Sequence, residues 1–188
     1  MSNAISSASA ELDPARLSFS ALLEEDLPLL VQWLNTPHVL EWWDKDMTLE
    51  KVRAKYLPRL GQDATRCFLI RYDDRPIGFI QHYRIDAYDD YGAVLALGEE
   101  AVGVDLYIGE PSLVHRGLGP PAVRRFFREI ALPAHGLDVA IIAPSLRNRA
   151  AIRAYEKAGF RHLKTVNVPG EDDPEYVMRA TRAELAHG

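Results

Sequence analysis

Residues 101–131 read AVGVDLYIGEPSLVHRGLGPPAVRRFFREIA, and this run constrains the fold more than any other part of the chain. Val102, Val104, Leu106 and Ile108 alternate with other side chains, a period of two that predicts a strand with one apolar face. Asp105 then falls mid-strand on the opposite face. After a turn holding Gly117 and Gly119, Val123, Phe126, Phe127 and Ile130 recur at helical spacing, while Arg124, Arg125 and Arg128 lie off that stripe as a solvated face. A strand that feeds a glycine turn and an amphipathic helix buries its apolar face against that helix, so a sheet with helices packed on it is expected.

Similar patterns flank this unit. RLSFSAL (16–22) alternates as a first strand, and Asp26 with Pro28 opens a helix carrying Leu29, Leu30, Trp33 and Leu34 on one face. Thr48 opens a second helix that ends at Gly61. RCFLIRY and PIGFIQHYRI form a hairpin across the tight turn DDRP. Asp86 to about Glu100 reads as a polar, glycine-containing loop. Beyond the central unit, LDVAIIAPS predicts a buried strand, RNRAAIRAYEKAGF a helix closed by Gly159, and RHLKTVNV with EYVMRA a final hairpin around an acidic turn. The order is strand, two helices, three strands, helix, strand, helix, two strands. It implies a mixed sheet with helices on its faces, of the α/β or α+β class.

The chain has 188 residues, which suits one domain from residue 16 to 188. Residues 1–15, small and polar with no apolar stretch, read as a flexible leader or an expression remnant rather than a signal peptide. No apolar run reaches membrane-spanning length, and the single Cys67 forms no internal disulfide, so a reduced, cytoplasmic, soluble protein is expected. A formal net charge of −5 argues against nucleic acid and permits a cationic substrate. The histidines show no ligand spacing, so no metal is expected.

Unpaired N–H groups and a partial positive charge make a helix start an anion site, and glycine lets backbone approach a phosphate closely. Gly117-Leu-Gly119-Pro-Pro-Ala122 also fits a dinucleotide fingerprint. Three features oppose that reading: the motif lies past mid-chain, no second βαβ unit follows, and Asp138 opens its strand instead of closing it. A nucleotide-kinase loop is excluded by the missing Gly-Lys-Ser/Thr. Pro120 and Pro121 remove two N–H donors, although proline suits the first turn of a helix.

PSLRNRAAIRAYEKAGF (144–160), with its asparagine and its tyrosine before EKAGF, joins HRGLG after an apolar strand in a combination that resembles the GNAT family of N-acetyltransferases. That resemblance implies a mostly antiparallel central sheet with helices on both faces, whose fourth and fifth strands splay apart to admit acetyl-CoA. The pantetheine arm would pair with the backbone of Leu106, Tyr107 and Ile108. The pyrophosphate would sit on His115, Arg116, Gly117, Leu118 and Gly119, with Val114 where the family pattern has Arg or Gln. Asn148 and Tyr155 match cofactor-contacting positions, and Tyr155 is a candidate acid for the leaving thiolate. Without the motif around it, Tyr155 reads as a core aromatic in line with Ile152.

WLNTPHVLEWW, YLP, RPIGFIQHY and GVDLYIGEP are similar to aminoglycoside 6'-N-acetyltransferases, a resemblance running from about Leu17 to Arg182. It implies a small cationic amine as acceptor, with Asp105 positioning the reacting amine or taking its proton. Asp105 alone also reads as half of a structural salt bridge. A buried carboxylate needs a partner, and an ammonium is one. Trp42 or Trp43 offers a wall for a sugar or a cation, one facing the site and the other the core. Gln81 and Tyr83 share a face with Phe79 and offer hydrogen bonds. Asp172 in the last turn is a further acceptor contact, and Asp86, Asp89, Asp90, Glu99, Glu100, Glu171 and Asp173 are acids that such loops bring near a polycation. A siderophore-type lysine or hydroxylysine N-acyltransferase and a non-catalytic acyl-CoA-binding module are the rival readings, and monomer or homodimer is the expected assembly.

Overall fold

A computed structural model describes residues 12–61 and 64–186. Seven strands form one sheet: β1 (Leu17–Ala21), β2 (Thr65–Tyr72), β3 (Arg75–Arg84), β4 (Val102–Ile108), β5 (Val139–Ile142), β6 (Arg161–Val166) and β7 (Glu175–Thr181). Their spatial order is β1-β2-β3-β4-β5-β7-β6, and every pairing is antiparallel except β4 with β5. The mixed, mostly antiparallel sheet expected from the sequence is therefore present.

The β4–β5 contact positions the site. Only Val102 with Ala140 and Gly103 with Ile141 are paired, whereas β4 stays paired to β3 along its whole length, from Val102 to Ile108. From Val104 onward β4 parts from β5, which ends at Ile142. These are the fourth and fifth strands, splayed as expected.

Helices cover both faces. On one side lie α1 (Leu27–Leu34), α2 (Pro37–Leu40), α3 (Leu49–Tyr56) and α4 (Asp89–Leu95). Leu27, Leu30, Trp33 and Leu34 of α1 pack there with Val52 and Tyr56 of α3 against Leu69, Phe79 and Tyr107. Leu29 is only partly buried, so the buried stripe begins at Leu27 instead. On the other side, α5 (Gly119–Phe126) and α7 (Arg149–Lys157) bury Val123, Phe126 and Ile152 against Ile80, Val104 and Ile142.

The helix begun by α5 runs on through a π-helical segment, Phe127–Ala131, into α6 (Leu132–His135). Pro133 is the cause, since proline inside a helix lacks the N–H and crowds the carbonyl four residues back. The chain widens, and Leu132 N–H donates to the Phe127 carbonyl. A final helix, α8 (Arg182–Ala186), follows β7 and was not expected.

Two other expectations change. Within the loop expected from Asp86 to Glu100, residues 89–95 form α4, which buries Leu95 and half-buries Tyr91. Asp89 and Asp90 stand in its first turn, where negative charge complements the helix dipole. Residues 1–11 of the expected leader lie outside the described residues. Its last part is tied down: Asp13 caps the turn Pro14–Arg16, Asp13 N–H donates to the Tyr72 hydroxyl at 3.1 Å, and Leu12 packs on the core.

Candidate active site

The parting of β4 from β5 opens a cleft of about 670 Å³. Val104, Asp105 and Leu106 line one wall, and Ile142 to Ser145, Asn148 and Tyr155 line the other. Trp42, Trp43, Lys55, Arg59 and Gln81 close it from the α2–α3 side, and Gly170 to Asp173 with Glu175 close it from the β6–β7 turn. Trp42, Gln81, Asp105, Leu106, Asn148, Tyr155 and Asp172 thus meet in one place, although they come from five separate segments.

Asp105 sits at the centre of an ordered network. Its register partner across β3 is Gln81, whose amide nitrogen donates to Oδ2 at 2.8 Å. The Tyr83 hydroxyl donates to Oδ1 at 3.3 Å. Gly103 makes the second bond possible, because a Cβ there would stand 2.7 Å from the Tyr83 ring. Arg59 donates to the Gln81 carbonyl oxygen at 3.1 Å, which fixes the amide with its nitrogen toward Asp105. Burial raises the Asp105 pKa, and the bonds from Gln81 and Tyr83, then the charges of Lys55 and Arg59, pull it back.

The salt-bridge reading of Asp105 is not what is found. Among the described residues its carboxylate accepts only from neutral donors and joins no ion pair. A desolvated carboxylate without a direct ion-pair partner is poised for a cation that also hydrogen-bonds. The cleft as a whole favours one: Glu41, Asp44, Asp105, Glu171, Asp172, Asp173 and Glu175 line it against Lys45, Lys55 and Arg59, and Lys55 and Arg147 are engaged by Asp44 and Asp173.

Tyr155 lies half-buried on α7. Burial, and secondarily the charge of Asp105, raise its pKa, so the phenol stays protonated at neutral pH as a proton donor. Asn148 caps α7 by accepting from Ala151 N–H at 3.0 Å. Trp42 and Trp43 both line the cleft, and Trp43 also packs edge-on against Tyr107 at 4.9 Å.

The other expected cofactor residues lie outside the cleft lining. Tyr107 turns its ring into the core beneath α1 and α3, leaving only its backbone on the parted strand. The Ile108 carbonyl already meets His38 Nε2 at 2.9 Å. In the glycine turn, His115 and Gly117 both take left-handed backbone, at φ 61° and 81°, and the amides of His115, Gly117 and Leu118 make no hydrogen bond among the described residues. Pro120 and Pro121 occupy the second and third positions of α5, and the first helical bond is Ala122 N–H to the Leu118 carbonyl. The prolines therefore delete no helical bond.

Several expected acids are not in the cleft. Asp86, Asp89, Glu99 and Glu100 border a separate hollow of about 330 Å³. Asp86 and Glu100 pair with Arg84, and Glu99 pairs with Arg179. Conversely, Glu41, Asp44, Lys55, Arg59 and Glu175 line the cleft without having been expected. The first four lie near the WW and YLP segments, which pointed to their neighbourhood. Glu175 reads as an ordinary strand start.

No group of three or more His, Cys, Asp or Glu is arranged to hold a metal ion among the described residues, and no helix there is long and apolar enough to cross a membrane. Residues 22–168 match the family model for the acetyltransferase (GNAT) domain. An aminoglycoside N(6')-acetyltransferase type 1 of Klebsiella pneumoniae is 34% identical over 167 residues, covering 86% of this chain and 81% of that protein. The solved structure of AAC(6')-Ib in complex with paromomycin and acetyl-CoA aligns with a TM-score of 0.79 at 31% identity, over 91% of this chain and 96% of the other. A lysine N-acyltransferase of Mycobacterium sp. (strain MCS) is 20% identical over 161 residues, 86% of this chain and 66% of that protein. The parted sheet, the glycine turn at the start of α5 and these likenesses agree, and the chain belongs to the GNAT acetyltransferases.

Proposed function

We propose that this enzyme transfers the acetyl group of acetyl-CoA to the 6'-amine of an aminoglycoside. The observation that carries the reading is Asp105, a desolvated carboxylate held by neutral donors in an acidic cleft that crosses the sheet. A polycationic acceptor supplies the direct ion-pair partner that Asp105 lacks among the described residues. The relatives' activities, at about a third identity over most of the chain, favour the same substrate class.

In this reading Asp105 binds the incoming ammonium, receives a proton from it directly or through water, and so orients the lone pair that is freed. The nitrogen attacks the thioester carbonyl, the tetrahedral oxyanion collapses with loss of the carbon–sulfur bond, Tyr155 gives its hydroxyl proton to the departing sulfur, and the surplus proton on the new amide nitrogen returns through water to the phenolate. Pantetheine runs along the parted edge of β4 at Leu106, Tyr107 and Ile108, and a backbone amide on that edge serves the developing oxyanion. The pyrophosphate rests on the free amides of His115, Gly117 and Leu118, with Arg116 and Gly119 completing the turn. Asn148 contacts the cofactor from α7, while Trp42, Gln81, Tyr83 and Asp172 shape the acceptor side. The enzyme acts in this reading as a cytoplasmic monomer or homodimer.

An acceptor screen that detects free thiol tests this directly. Kanamycin-type 6'-amines are expected to release thiol and N6-hydroxylysine is not. Silence from every 6'-amino compound would remove the substrate assignment, and tight acetyl-CoA binding with no thiol from any amine would leave a binding module instead.

A further inference from the structure

Glu175 opens β7 on the same sheet face as Val177, the face that α4 covers. Asp105 stands on that same face of β4, alongside Tyr107. Between them runs the end of β5, where Ala143 lines the cleft with no more than a methyl group. The two carboxylates therefore border one open channel from opposite sides.

The position of Glu175 is well fixed. Its backbone lies between Val166 of β6 and Ser145, which it bridges. The flanking bonds Tyr176 N–H to Pro144 and Leu146 N–H to Pro174, each 2.8 Å, clamp the segment on both sides. The Tyr91 hydroxyl reaches from α4 to donate to Oε2 at 2.8 Å. Oε1 makes no hydrogen bond among the described residues. One oxygen is thus anchored while the other is left for a ligand.

The groups facing it supply no cation. Among the described residues they are Tyr91 of α4, Tyr83 of β3, Asp105 of β4 and Glu171 of the β6–β7 turn, and nearby Arg147 is paired with Asp173. Burial, followed by the charges of Asp105 and Glu171, raises its pKa to about 7 against the Tyr91 bond. A half-buried carboxylate among other carboxylates costs stability unless a cation arrives.

We propose that Glu175 is a second ammonium-binding residue, which holds a non-reacting ammonium of an oligo-ammonium acceptor across the cleft from Asp105. It rests on the acceptor reading above. Its role is specificity: it binds ground state and transition state alike, so it acts on KM and not on kcat.

Kanamycin is the probe, with wild type, Glu175→Gln and Glu175→Asp measured at about pH 6 and about pH 8, on either side of the Glu175 value. At the higher pH, Glu175→Gln is expected to raise KM about tenfold, the loss of one charge-assisted hydrogen bond, with kcat within about twofold. At the lower pH the two enzymes converge, because the wild-type carboxyl is then protonated. Glu175→Asp restores part of the affinity. Equal KM values at the higher pH, with kanamycin turned over, would overturn this proposal and leave the proposed function standing. If wild type turns over no kanamycin, the function fails and calorimetric titration of the CoA-loaded proteins decides here: a similar tenfold loss of affinity sustains the inference, and equal or absent binding overturns it.

Discussion

Gln81 and His82 are neighbours in β3, both polar and both buried, and they face opposite sides of the sheet. Gln81 points to the cleft side, where Arg59 orients it and Asp105 receives its amide. His82 points to the α5 side, where its Nδ1 meets His135 Nε2 at 2.9 Å between the rings of Phe68 and Phe126. Among the described residues its Nε2 is buried with no hydrogen-bond partner, and burial, then His135 and Arg66, lower its pKa to about 4. Burial and a perturbed pKa are therefore common to both places. What separates them is the opening: the Gln81 network borders the cleft, and the histidine pair is not among the residues lining it.

The sharpest way to break this contrast is Asp105→Asn. It should lower kcat/KM by about two to three orders of magnitude, the usual yield of a base and electrostatic anchor together, while acetyl-CoA binding by calorimetry is unchanged. Full turnover would place Asp105 with His82 as a merely structural group. Tyr155→Phe should follow, with kcat reduced about tenfold to a hundredfold and KM for the acceptor little altered.

Gly103→Ala probes the scaffold beneath the site. Its Cβ would overlap the Tyr83 ring, so a stability loss of about 1–3 kcal/mol by denaturant titration is expected. Turnover should fall with it, since the displaced hydroxyl no longer holds Asp105. Unchanged activity in a destabilised protein would show that Tyr83 does not order the carboxylate.

A smaller effect separates the two sides by pH. His82 has a folded pKa near 4, below the ordinary value of 6.5, so its share of stability is present above that value and lost as pH falls toward 4. Glu175 behaves oppositely: its pKa is raised from 4.5 to about 7, and its share is present below 4.5 and lost as pH rises through 7. The two slopes oppose each other in the wild type. Melting curves should thus show that His82→Leu removes the acid-side loss and Glu175→Gln the neutral-side loss. Parallel profiles for all three proteins would refute both assignments. Smallest of all, Pro121→Ala should cost about 0.5–1 kcal/mol through the freer unfolded chain, with acetyl-CoA affinity within about twofold.

The Asp105 face was legible because alternation along residues 102–108 is a local signal, and strand pairing with β3 simply realised it. The glycine turn was legible for the same reason, two glycines at a helix start. Helix α4 was not, because Gly92 and the acidic Asp89 and Asp90 carry turn chemistry, and only burial of Leu95 and Tyr91 against the sheet makes the segment helical. Glu175 was missed for a different cause. Its neighbours in sequence describe an ordinary strand start, and its significance comes from Tyr91 and Asp105, each far away in the chain. The resemblance implied where cofactor and acceptor would lie but assigned no role to positions at which only this chain's packing matters.

The short pairing of β4 with β5 has a last consequence. A seven-stranded open sheet ordinarily has two edges, and this one has four, because each strand of the parting leaves one side of its backbone unmatched. The two inner edges lie between α5 and α7 on one face and α1 to α4 on the other, which bars the flat approach of a neighbouring sheet. An inner edge accepts a thin, extended, hydrogen-bonding guest and refuses a strand flanked by its own layers, so the chain carries a template for pairing without the aggregation hazard that an outer edge of that kind would bring.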